Sequence, residues 1–141
     1  MSVSAARYPY QAPIDAYGNG GFRFADMSHR GSILCLPTGI HAWDVTDAAA
    51  LTRADFESVL ALAGTVGFLL LGTGRTQVWP SADIKRAFAE ANIALEPMDT
   101  GAAARTYNVL LAEKRPVAAA LVAVAAVQRR PLPRSLREWG E

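Results

Sequence analysis

Apolar and polar positions follow a short rhythm in the first third of the chain and a longer one afterwards. Phe22 and Phe24 stand two apart, a polar stretch runs from Asp26 to Gly31, and the apolar run SILCLP follows. Alternation, turn and second apolar run predict a β-hairpin. HAWDV, from His41, adds another short strand. Residues 1–13 contain Pro9 and Pro13 with little periodicity and read as an extended lead-in.

The next apolar residues fall at helical spacing. Phe56, Val59, Leu60 and Ala63 form one stripe, Thr52 is placed as an N-cap with Asp55 three residues on, and Gly64 stops the run. Val66 to Leu71 is apolar at every position, the pattern of a strand covered on both faces. Pro80 and Ser81 open a second helix with Ile84, Ala87, Phe88 and Ala91 on its apolar side. NIALEPM supplies a strand, DTGAAARTYNVLLAEK a third helix with Ala103, Tyr107, Leu110 and Leu111 inward, and RPVAAALVAV a final strand.

Strands joined by helix-sized crossovers pair in parallel, with the helices packed on the sheet. The pattern therefore predicts a single three-layer α/β domain with a central mixed, largely parallel β-sheet flanked by helices, preceded by an N-terminal β-hairpin. Residues 14–128 form that domain. Residues 129–141, with two prolines and four arginines, read as a basic, flexible tail.

Composition narrows the function more by exclusion than by assignment. A chain of 141 residues has room for one domain, which buries roughly two thirds of its unfolded surface without disulfides or metals. Cys35 is the only cysteine and lies in an apolar run, which excludes an intrachain disulfide or a cysteine cage and makes it a packed hydrophobe in a reducing compartment. Residues 1–128 carry 10 basic and 11 acidic side chains against 4 and 2 in the tail, so the body shows no concentrated basic face for specific nucleic-acid binding. The apolar run Pro116–Val127 has 12 residues, short of the roughly 20 that span a bilayer, and the N-terminus has no signal-like apolar core. The expected location is the cytoplasm. Membrane contact is expected only indirectly or through the tail.

Gly72 and Gly74 follow the buried strand, but Gln77 stands where a dinucleotide fingerprint needs its third glycine, and no Walker lysine follows Gly74. They either form a tight exit from the strand or help receive a ligand. If the strands before Gly72 and Asp99 are parallel, both loops leave along one carboxyl edge, where open α/β sheets bind ligands. Arg105 in the early helix is then either paired with a local carboxylate while Asp99 or Thr100 caps the helix, or joins Arg75 and the helix N-terminus in receiving a carboxylate or phosphate. His29 and His41 lack metal-ligand spacing, no G-x-S-x-G elbow occurs, and Asp44 and Asp47 read as turn or cap residues.

The segments IDAYGNGGFRF, GSILCLP, LLLGTGRTQ and MDTGAAARTYNVLLAEKRPVAAAL resemble a widespread domain family of unknown function. That family includes a mitochondrial respiratory complex I assembly factor (assembly factor three) and an adipogenesis-associated vertebrate protein. The resemblance covers about Ile14 to Val124 and implies a three-layer α/β fold with a mixed sheet. It implies no catalytic residues and no cofactor. Its most distinctive positions are Asp99, Thr100, Gly101, Arg105, Thr106, Tyr107 and Asn108, joined by Gly72 and Gly74. With about 13 residues ahead of the matching region, a bacterial member fits better than a mitochondrial one.

The expected function is a non-catalytic binding or assembly module with a protein partner, assisting a respiratory membrane complex. The alternative is a protein or enzyme binding a small anionic ligand at the Gly72–Arg75 and Asp99–Arg105 loops. A third reading, tail-mediated contact with acidic lipid or nucleic acid, rests on four arginines.

Overall fold

The computed structural model describes residues 7–125; the basic tail at 129–141 lies outside them. The chain first forms a small antiparallel sheet of β1 (Ala16–Gly18), β2 (Gly21–Phe24) and β3 (Met27–Arg30), in that order. Phe24 faces Met27 across a two-residue turn in which Ala25 and Asp26 take φ of 49° and 62°. Such left-handed pairs match the twist of the strands they join. The polar stretch predicted to be the hairpin turn is therefore itself mostly strand, and the SILCLP run is not the partner of β2. At Gly31 (φ 98°) the chain leaves this sheet, and the run enters a second one as β4 (Ser32–Leu36).

That second sheet has five strands: β5 (Gly39–Trp43), β4, β8 (Val117–Leu121), β6 (Phe68–Gly72) and β7 (Ala94–Met98), in spatial order. β6 pairs in parallel with β7 and β8, whereas β4 pairs antiparallel with both β5 and β8. With both pairings of the small sheet also antiparallel, the expectation of a largely parallel sheet is overturned. The crossovers through α2 and α3 join neighbouring parallel strands among β6, β7 and β8, whereas β4 and β5 form a hairpin, whose strands pair antiparallel.

The helices follow the predicted order. Residues Arg53–Phe56 make a 3₁₀ turn that continues into a short α1 (Glu57–Leu60), with the Thr52 amide donating to the Asp55 carboxylate at 2.8 Å. Helix α2 (Ala82–Ala91) is capped by Ser81, which accepts from the Ile84 amide at 3.2 Å, and ends at Asn92 in the left-handed conformation. Helix α3 runs from Thr100 to Ala112.

Alternation along the central strands sends side chains to two cores. Leu69, Leu71, Ala118 and Ala120 meet Phe56, Val59, Ile84 and Phe88 on the side of α1 and α2. Leu70, Val117, Ala119 and Leu121 meet Phe22, Phe24, Ala103 and Tyr107 on the side shared by α3 and the small sheet. Small residues on both α3 and β8 let helix and strand approach closely, which is why a strand of three consecutive alanines is fully buried. No helix among the described residues is long and apolar enough to cross a membrane.

Candidate functional site

The loops after β6 and β7 do emerge side by side. The Thr73 amide donates to the Met98 carbonyl at 2.9 Å, and the Thr100 amide to the Gly74 carbonyl at 2.8 Å. The Thr100 hydroxyl, with no exposed surface, donates to the Val122 carbonyl at 2.7 Å and accepts from the Gly74 amide at 2.9 Å. One side chain thus ties the exits of three strands together. Thr73 closes its own turn, donating to the Thr76 carbonyl at 2.6 Å and accepting from the Val78 amide at 3.0 Å.

The glycines serve this closure. A Cβ at Gly72 would stand 2.9 Å from Leu121 Cδ2 and 3.0 Å from Thr100, so the start of α3 packs on bare backbone. Gly74 takes φ 104°, in the left-handed region that disfavours side chains, and has open space around it. A Cβ at Gly101 would collide with the Tyr17 hydroxyl.

The first-turn donors of α3 are largely engaged by the protein itself. Asp99 caps the helix, its carboxylate accepting from the Ala102 amide at 2.9 Å and its carbonyl from the Ala103 amide at 2.9 Å. Arg75 and Arg105 are exposed, and neither forms an ion pair with a described residue. Thr106 is half-buried with its hydroxyl directed at Met98 Sδ, 3.8 Å away.

Tyr107 and Asn108 point away from the loops, toward the lead-in. The Tyr107 hydroxyl donates to the Ala12 carbonyl at 2.9 Å from a fully buried position. Asn108 exchanges two bonds with Ile14, donating to its carbonyl at 2.9 Å and accepting from its amide at 2.8 Å. Burial pushes the Cys35 thiol up to about 12, against the opposing influence of the Tyr107 hydroxyl beside it. The same burial, helped by Cys35 beside it, pushes the Tyr107 phenol up. Both stay protonated at neutral pH, the state of packing groups rather than of nucleophiles. His41 is buried against Thr38, and Asp47 caps a short turn by accepting from Ala49.

Sequence reading passed over a second feature. A cleft of about 360 Å³ opens on the small sheet, lined among others by Ala16, Tyr17, Gly21, Arg23, Ser28 and Arg30. His29 stands at its margin, its pKa lowered first by burial and then by the positive charge of Arg7, against a hydrogen bond with the Ser32 backbone. The signal was present in the alternation of Arg23, Ser28 and Arg30 with Phe22, Phe24, Met27 and His29, once residues 27–30 are taken as strand.

The family model described as "Protein of unknown function (DUF498/DUF598)" matches residues 14–122. An uncharacterised protein of Rhodobacter capsulatus is 40% identical over 110 residues, which is 78% of this chain and 83% of that protein. The NADH dehydrogenase (ubiquinone) 1 alpha subcomplex assembly factor 3 of Mus musculus is 27% identical over 122 residues, 86% of this chain and 66% of that protein. This chain therefore spans just under two thirds of the length of that assembly factor. A crystal structure described as an outer membrane protein from Bartonella henselae superposes with a TM-score of 0.81 at 51% identity, covering 84% of this chain and 99% of that one. The matched residues run from Ile14, held by Asn108, to Val122, held by Thr100, and the chain belongs to the DUF498/DUF598 family.

Proposed function

We propose that this protein is a non-catalytic, cytoplasmic protein-binding module that assists assembly of a respiratory membrane complex. The observation that carries the reading is the similarity to assembly factor 3 across 86% of the chain. The structure adds support: Thr100, Asp99, Tyr107 and Asn108 spend their polar groups on holding the fold together. On this reading the Gly72–Arg75 and Asp99–Arg105 loops are a rigid closure. What they leave outward, Arg75, Arg105 and the 69%-exposed Trp79, contacts the partner. Exposed Arg and Trp are the residue types that anchor protein interfaces.

The test is deletion of the gene in a bacterium that carries it, followed by native-gel analysis of the membrane NADH dehydrogenase. The expected result is loss of the fully assembled complex and accumulation of subassemblies, restored by the wild-type chain and poorly by Trp79→Ala with Arg105→Glu. Normal assembly in the deletion strain overturns the proposal.

A further inference from the structure

The small sheet carries its own chemistry, independent of the assembly role. Cross-strand partners in an antiparallel sheet share a face, so the register places Ala16, Arg23 and Ser28 in one row and Gly18, Gly21 and Arg30 in the next, on the same side. Arg23 and Arg30 are diagonal neighbours on that side, at a backbone separation of about 7–8 Å. Everything beside them in the two rows is small. The result is a depression lined by Ala16, Gly18 and Gly21 and bordered by Arg23 and Arg30.

Neither guanidinium is neutralised by a carboxylate among the described residues. Arg30 Nη1 lies 3.8 Å from where a Cβ on Gly20 would stand, so its head sits over the β1–β2 turn. Arg23 Nε donates to the Ser28 hydroxyl at 3.4 Å, a long bond that leaves its terminal nitrogens available. Both residues are exposed, and neither forms an ion pair with a described residue. Like charges placed as diagonal neighbours repel, and that cost is removed when an anion sits between them. Planar guanidinium forks match the oxygens of carboxylates and phosphates in pairs. The cleft, at about 360 Å³, is larger than a bare phosphate and falls at the lower end of small-molecule sites.

We propose that the cleft on the outer face of β1, β2 and β3 binds a small doubly charged oxyanion, a phosphate ester or a dicarboxylate, between the guanidiniums of Arg23 and Arg30. The Ser28 hydroxyl stands directly opposite Arg23 and two residues from Arg30 on β3, and supplies a neutral hydrogen bond to the same oxyanion. The small residues of the same face, Ala16, Gly18 and Gly21, leave room for the carbon portion of the ligand.

The experiment is an NMR titration of the full ¹⁵N-labelled chain with inorganic phosphate and, separately, succinate, at constant ionic strength held by sodium chloride. Saturable amide shifts confined to residues 18–23 and 28–31 are expected with at least one probe. Phosphate alone identifies a phosphoryl ligand, succinate alone a dicarboxylate, and both a site that reads charge and not shape. Apparent affinity is expected to fall roughly tenfold or more for each guanidinium removed in Arg23→Gln and Arg30→Gln, while Lys85→Gln, at an exposed position on α2, leaves it unchanged. Arg23→Lys keeps the charge but not the fork and is expected to bind with intermediate affinity. Spectra of the variants away from the cleft report whether each is folded. Shifts that fail to saturate with either probe, that chloride reproduces, or that persist in the folded Arg23→Gln/Arg30→Gln protein overturn the proposal. Loss of this site leaves the native-gel outcome above unaffected, so the two proposals fail separately.

Discussion

The carboxyl edge of the five-stranded sheet and the outer face of the small sheet both combine glycines, hydroxyls and arginines, yet they dispose of them differently. At the edge, the Thr100 hydroxyl, the Gly74 amide and the Asp99 carboxylate are satisfied by the protein's own groups, and Gly72 is there because helix and strand approach too closely for a Cβ, Gly74 because of its positive φ. On the small sheet, two cations share a depression and neither has a carboxylate partner among the described residues. The lesson is that a motif conspicuous in sequence can be conspicuous because it builds the fold. Capacity to bind lies where polar groups are left over, and that is decided by a count of hydrogen bonds and not by residue type.

Three measurements sharpen that contrast, taken from the largest expected effect down. Tyr107→Ala removes a fully buried ring and a hydrogen bond to the lead-in, and is expected to cost about 3–5 kcal/mol in urea unfolding. A loss under about 1 kcal/mol would mean that the helix side of this core is not what holds the domain together. Thr100→Val keeps the shape but leaves the Gly74 amide and the Val122 carbonyl without their shared partner, for an expected loss of about 1–3 kcal/mol. A neutral result would show that the edge is not closed by this hydroxyl and would reopen it as a receiving site. Arg105→Ala, at an exposed position with no ion pair, is expected to stay within about 0.5 kcal/mol of wild type, read as the same urea midpoint. A larger destabilisation would make Arg105 part of the fold, and with it the edge structural throughout.

Much of the architecture was legible because it rests on local chemistry. The order helix, strand, helix, strand, helix, strand from residue 53 follows from apolar spacing, from Ser81 and Asp99 as caps and from the breaks at Gly64 and Pro80. The two-faced burial of β6 was equally readable, since each of Leu69, Leu70 and Leu71 goes to a core. The small sheet was misread because Met27–Arg30 carries only one apolar residue, and a polar strand whose inner face is satisfied by Met27 and half-buried His29 looks like a turn. The two-residue turn at Ala25–Asp26 lacks the glycine or asparagine that usually announces it. Arg23 and Arg30 were invisible as a pair for the same reason: seven residues apart, they become neighbours only through the hairpin register.

The sequence by itself determined the order of helices and strands from residue 53, the caps that start two helices and the family, because propensity, capping and apolar periodicity act over a few residues. Tertiary structure alone decided that β4 would dock antiparallel on β8, that Asn108 would reach back 94 residues to Ile14, and that the arginines of the small sheet would face one cleft. Those outcomes depend on which distant backbones come within hydrogen-bonding reach, and a linear pattern carries no record of that distance.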